Sequence, residues 1–98
     1  MYVKSLDSTI IVNNSSVLIL PSNNLRRAVS VCNPSLSVIW LCKGTLAAVG
    51  RGILLNALGG TYIDELDGPG NIYTGIYSAI AVTAGSNVIA MQEDFFEN

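Results

Sequence analysis

Ile72-Tyr73-Thr74-Gly75-Ile76-Tyr77-Ser78-Ala79-Ile80-Ala81-Val82 alternates throughout, with Ile72, Thr74, Ile76, Ser78, Ile80 and Val82 on one side and Tyr73, Gly75, Tyr77, Ala79 and Ala81 on the other. That periodicity belongs to an extended strand, whose successive side chains leave the pleat in opposite directions. After it, Thr83-Ala84-Gly85-Ser86 has turn chemistry and leads into a last predicted strand, 87–92. The acidic tail Glu93-Asp94-Phe95-Phe96-Glu97-Asn98 follows.

Upstream, the same grammar repeats. Thr61-Tyr62-Ile63 is extended and runs into the loop Asp64-Glu65-Leu66-Asp67-Gly68-Pro69-Gly70-Asn71. Leu25 to Cys32 and Leu36 to Lys43 flank Asn33-Pro34-Ser35, which reads as a hairpin. Val29 and Val31 share a face in the first arm. In the second arm both faces are largely apolar, as expected of a central strand covered on both sides or of one covered by a neighbouring subunit. Ser8 to Val12, Asn13-Asn14-Ser15-Ser16 and Val17 to Leu20 read as an amino-terminal hairpin or arm within 1–24, closed by Pro21-Ser22-Asn23-Asn24. Thr45 to Gly60 carries a helical stripe through Leu46, Val49, Ile53, Ala57 and Leu58, but Gly50 and Gly52 interrupt it. Each interior glycine costs a helix about 1 kcal/mol relative to alanine. The reading is two short strands around a Gly-Arg-Gly turn, with the helix as the competing reading.

The chain therefore reads as all-β: a single antiparallel β-sandwich or small barrel, jelly-roll-like, of about eight short strands in one domain spanning 1–98. Its 98 residues suffice for one core, and 12% charge is too little to keep a chain open. Apolar runs are interrupted well before the roughly 20 residues of a membrane span, and the amino end shows no secretory pattern. A net charge of −2 argues against a basic face, so neither nucleic acid nor membrane is expected as a partner.

The chain has no histidine, which removes the usual general base and imidazole ligand. Cys32 and Cys42, placed on a hairpin, would lie about 20 Å apart at roughly 3.4 Å per residue, so two reduced thiols are expected. Clustered carboxylates at 64–68 lack the ligand spacing of a calcium loop, and Gly50-Arg51-Gly52 and Gly68-Pro69-Gly70 are not followed by the Lys-Ser/Thr of a phosphate loop. No cofactor, metal or catalytic residue is expected. Arg26 and Arg27 are adjacent on a strand, so one of them must be accommodated on the inner or interface side. The bland reading has both reaching water from a frayed strand start, and the alternative is a salt bridge to a carboxylate of this chain or of a neighbour. Tyr62, Tyr73, Tyr77 and Trp40 could form a carbohydrate face or simply core contacts. Phe95 and Phe96, flanked by acids, form an amphipathic hook suited to a neighbouring chain. Arg26, Arg27, Tyr77, Phe95 and Phe96 are the expected subunit-interface residues.

From Arg27 to Glu93 the strands carry an ordered set of motifs. An arginine precedes a strand ending in Asn (Arg27-Ala28-Val29-Ser30-Val31-Cys32-Asn33), followed by a strand ending in Gly (Val38 to Gly44). Gly52-Ile53-Leu54-Leu55 leads to Gly59-Gly60-Thr61-Tyr62, then Tyr73-Thr74-Gly75-Ile76-Tyr77-Ser78-Ala79-Ile80, then Val88 to Glu93. In this order of motifs, over about two thirds of its length, the chain resembles small virion proteins of tailed phages; where those sequences carry Pro-Gly before the aromatic, this one has Leu58-Gly59-Gly60, and its amino-terminal hairpin is additional. The resemblance implies a non-enzymatic structural protein, a capsid decoration (cement) or head-fibre type. It would be assembled in the host cytoplasm into the virion as a homo-oligomer, a trimer, against the major capsid protein. The alternative is a receptor- or glycan-binding module of a fibre or tail. A carboxylate-based hydrolase ranks last, because its acids share one turn.

Overall fold

In a computed structural model, which describes residues 2–66 and 71–97, the chain forms eight strands. They are β1 (Tyr2–Val12), β2 (Val17–Leu20), β3 (Arg26–Asn33), β4 (Ile39–Lys43), β5 (Ile53–Leu55), β6 (Gly60–Glu65), β7 (Tyr77–Ala81) and β8 (Asn87–Glu97). Two four-stranded sheets face each other, ordered β1-β8-β3-β6 and β2-β7-β4-β5. First pairs with last, second with seventh, third with sixth and fourth with fifth, all antiparallel. The chain is thus one long hairpin folded double and rolled up, the topology of a jelly roll.

Alternation is what fills the core. Val29 and Val31 of β3, Ile39 and Leu41 of β4, and Ile89 and Met91 of β8 point between the sheets with Val12, Ile19, Leu55 and Tyr77. Small residues sit beside large ones, Ala81 opposite Ile39 and Ala79 opposite Leu41, so neighbouring side chains do not compete for the same volume. Each fully buried Leu, Ile or Val contributes roughly 1.5–3 kcal/mol.

Five local expectations are corrected. Asn13-Asn14-Ser15-Ser16 and Asn33-Pro34-Ser35 are corners that carry the chain from one sheet to the other, not hairpin turns, because β1 and β2, like β3 and β4, lie in different sheets. The amino-terminal segment is no separate arm: β1 pairs with β8 over its whole length, Tyr2 opposite Glu97 through Val12 opposite Asn87. The strand expected over Ile72–Val82 begins only at Tyr77, since polar contacts described below hold the carbonyls of Tyr73 and Gly75 in a loop. Strand β8 does not stop at Gln92 but runs on through Phe95 and Phe96. In 45–60 there is no helix and one strand rather than two. Gly52 has φ +91°, and a Cβ there would run into the Leu41 carbonyl of β4, so glycine is what lets β5 begin against β4. Asp67 to Gly70 of the acidic loop lie outside the described residues.

The register that separated the cysteines is likewise replaced. Cys32 stands opposite Ala90 and Thr61 in the first sheet and Cys42 opposite Ser78 in the second. Both are free, and they sit in different sheets.

The β3–β4 corner is organised by Asn33. Its buried amide donates to the carbonyls of Ser37 (2.8 Å), Leu55 (3.0 Å) and Asn56 (3.3 Å). Its side-chain oxygen accepts from the Ser35 N–H (3.0 Å) and hydroxyl (2.6 Å). One side chain therefore ties the corner between the sheets to the end of β5.

Candidate functional site

Arg26, Arg27, Tyr77, Phe95 and Phe96 gather at one end of the sandwich, where the β2–β3, β4–β5 and β6–β7 connections meet. The decisive local feature is a β-bulge. On β8 the partners of Arg26 and Ala28 are the adjacent residues Phe95 and Asp94, so Arg27 is the extra residue. Without it, Arg26 would lie on the opposite face from Val29 and Val31. The bulge turns Arg26 inward and leaves Arg27 exposed.

Arg26 is 2% exposed. Its Nε donates to Glu93 Oε2 at 2.7 Å, Nη1 to the carbonyls of Tyr73 (3.0 Å) and Gly75 (2.9 Å), and Nη2 to the carbonyl of Pro21 (2.8 Å). The guanidinium carbon also lies 5.4 Å from the centroid of the Tyr77 ring. Such a charge is tolerable inside because nearly every donor is satisfied. One cation thus fastens the β2–β3 and β6–β7 connections to β8.

Around it stands an aromatic cluster. Tyr73 meets Tyr77 edge-on at 5.2 Å and 83°, and Tyr62 lies 6.4 Å from Tyr77. Lys43 Nζ rests between the rings of Tyr62 (5.7 Å) and Tyr73 (5.4 Å). The Tyr73 N–H donates to Asp64 Oδ2 at 3.4 Å, and its phenol to the Ile76 carbonyl at 2.9 Å. Burial first, then the neighbouring Tyr62 phenol and the Asp64 carboxylate, push the Tyr77 phenol well above the ordinary tyrosine range.

The Tyr77 hydroxyl is wholly buried, and among the described residues no group meets it in good hydrogen-bond geometry, the Tyr62 phenol beside it included. Tyr77→Phe is therefore expected to raise stability by about 1 kcal/mol, since it removes a desolvated hydroxyl and keeps the ring contacts. The sign of the pH effect follows from the raised folded-state value. Below the free-phenol pKa of about 10 Tyr77 is neutral in both states and ionisation costs folding nothing, but as pH climbs beyond it the unfolded chain ionises while the buried phenol resists, so wild type loses stability. The gap between Tyr77→Phe and wild type should accordingly widen in urea titrations above pH 10. A variant that is less stable at neutral pH would count against an unpartnered hydroxyl.

These contacts reassign part of the expected interface. Arg26 and Tyr77 belong to the interior of the chain, so they are not surface contacts for a neighbour, and Arg26 has neither solvent nor a neighbour's acid as its partner but Glu93. Phe95 and Phe96 are half-buried in β8 rather than on a loose hook. The Phe96 N–H donates to the Leu25 carbonyl at 2.9 Å, and the Arg27 carbonyl accepts from Leu66 N–H at 2.8 Å. Sequence reading missed Glu93. Continuing the alternation of Ile89 and Met91 by one step would have placed it inside and supplied the acid that an inward arginine requires.

The two outer faces differ in charge rather than in exposed apolar side chains, since the β1-β8-β3-β6 face also exposes Val3, Ile11 and Ile63. On the β1-β8-β3-β6 sheet Asp7, Ser30, Gln92, Asp94 and Glu65 line open surface, including a shallow trough beside Cys32 and Ala90. There the Ser5 hydroxyl (2.6 Å) and then the Gln92 amide (3.3 Å) hold the Asp94 carboxyl below its usual range. The β2-β7-β4-β5 sheet carries a single charged residue in its strands, Lys43. Leu18, Trp40, Leu54 and Ile80 face outward from it. Over this face passes the loop 44–52: its Ala47 N–H reaches across β7 to the Ser16 hydroxyl at 2.8 Å. Leu46 on that loop is 75% exposed, and Leu36 and Leu58 at the opposite end of the sandwich are 85% and 73% exposed.

Among the described residues no three His, Cys, Asp or Glu side chains come together as metal ligands. A scan against protein-family models finds no match for the chain, and a search of the curated proteins finds none either.

Proposed function

We propose that the protein is a non-enzymatic structural component of a tailed-phage particle, a capsid decoration or cement protein that acts as a homo-oligomer against the major capsid protein. The observation that carries this reading is the outer side of the β2-β7-β4-β5 sheet, where exposed Leu18, Leu46, Val49 and Leu54 are accompanied only by Lys43 in the strands and Arg51 in loop 44–52 as charges. Apolar surface of that extent on a protein so poor in charge favours burial against another protein, at roughly 25 cal/mol per Å² removed from water. Repeated over a symmetric shell, modest contacts add through effective concentration. The jelly-roll topology suits a sturdy shell component but hosts many functions, so it supports the reading only at the level of analogy.

The tyrosines weigh against the glycan-binding alternative. Tyr77 is buried, and the rings of Tyr62 and Tyr73 are already occupied by Lys43.

The test is co-sedimentation of labelled protein with phage shells stripped of accessory proteins, run beside a glycan array. Saturable binding that raises the shell's melting temperature, and that is lost in Leu18→Asp/Leu46→Asp, is the expected result. Glycan hits without shell binding would replace this reading with the receptor module.

A further inference from the structure

We infer that β1 is a self-pairing edge: two copies of the chain join antiparallel through β1 about a two-fold axis at Leu6, fusing their β1-β8-β3-β6 sheets into one eight-stranded sheet. This stands apart from the shell reading, since it rests on the backbone of a different sheet.

Strand β1 hydrogen-bonds to β8 on one side only and is the outer strand of its sheet. Its register with β8 runs without interruption from Tyr2 to Val12. The other side therefore presents a long row of unpaired N–H and C=O groups, a template that another extended strand completes. The remaining edges of the molecule are blunted. Strand β2 has four residues and an irregular register between Leu18 and Leu20, β5 has three residues, and β6 ends in Asp64 and Glu65. Strand β1 has neither proline nor bulge, and Lys4 and Asp7 are its only charges.

Those two charges select the occupant and the register. In a two-fold antiparallel pair, residues placed opposite each other share a face, so only positions of the same parity can meet. Centring on Asp7 sets Asp7 against the partner's Asp7, and centring on Lys4 sets two lysines together, both destabilising. Centring on Ser5 opposes Asp7 to the partner's Val3 and Lys4 to the partner's Leu6. Centring on Leu6 instead places Lys4 against the partner's Ser8, Asp7 against the partner's Ser5 and Val3 against the partner's Thr9. No like charges meet, and Leu6 meets the partner's Leu6. In the single chain Leu6 is 59% exposed although it stands opposite the buried Glu93. The second copy covers the apolar surface that Leu6 leaves exposed in the single chain.

Sedimentation velocity and light scattering over a concentration series test this. The wild type is expected to reach a species of twice the 10.4 kDa chain mass. Leu6→Lys should weaken that association at least tenfold while the circular dichroism spectrum is unchanged, because residue 6 is exposed in the single chain. In a Cys32→Ser/Cys42→Ser background, Leu6→Cys should form a covalent dimer on mild oxidation, whereas Asp7→Cys, off the axis, should form far less. A monomer at every concentration, a trimer, or a dimer that tolerates Leu6→Lys and does not crosslink in the Leu6→Cys variant would overturn the assignment. A dimer with no affinity for phage shells would leave it standing and remove only the shell reading.

Discussion

Arg26→Met is expected to lower the free energy of unfolding by about 3–5 kcal/mol, the range seen when one member of a buried ion pair is removed. The loss has two sources. Glu93 is left buried without its partner at 2.7 Å, and the carbonyls of Pro21, Tyr73 and Gly75 lose their donors. The double variant Arg26→Met/Glu93→Leu separates them. It removes the stranded carboxylate but leaves the three carbonyls unanswered, so it should recover part of the loss and not all of it. Urea denaturation measures each midpoint and slope. If Arg26→Met costs under 1 kcal/mol, the pair does not fasten this end of the sandwich. If the double variant fully matches wild type, the loop carbonyls contribute nothing and only the charge pairing matters.

The second large effect is expected at the opposite end. Asn33→Ala should cost about 3 kcal/mol, because it breaks a buried network in which one amide answers three carbonyls and its oxygen answers Ser35. Asn33→Asp is nearly isosteric and preserves volume, yet it replaces the donors with a second acceptor aimed at the carbonyl oxygens of Ser37 and Leu55. The aspartate variant should therefore be at least as destabilised as the alanine variant at neutral pH, and should recover as acid protonates it. Thermal unfolding monitored by circular dichroism across pH 3–8 reads both. An aspartate variant as stable as wild type at neutral pH would show that the amide donors are dispensable.

Much of the fold was legible in the sequence, and for a local reason. Alternation depends only on neighbouring residues, so Val29 and Val31 could be put on one face from spacing alone, whereas in β4 the apolar Val38, Trp40 and Cys42 left spacing unable to choose Ile39 and Leu41 as the inner set. Partnership between strands is another matter. Asn13-Asn14-Ser15-Ser16 has the same chemistry whether the chain turns back beside itself or crosses to the other sheet. Only the distant pairing of β1 with β8 decides, and that pairing is written in no local pattern. The site failed to show itself through a parity shift. Arg26 is even-numbered beside odd-numbered core positions, and a bulge at Arg27 is invisible to any reading that assumes unbroken alternation. Loop 72–76 was misread for a related reason. Its alternation continues into β7, but Arg26 draws its carbonyls out of the sheet ladder.

Because the first strand lies against the last, the order in which the polypeptide is synthesised matters to how it folds. When Tyr2 to Val12 leaves the ribosome, the residues that will flank it have not yet been joined, and its apolar positions must wait for nearly the entire chain. Closure of the sandwich is thus a late event that waits until β8 has been made, and nascent copies crowded on one messenger meet one another's open β1 before they meet their own β8.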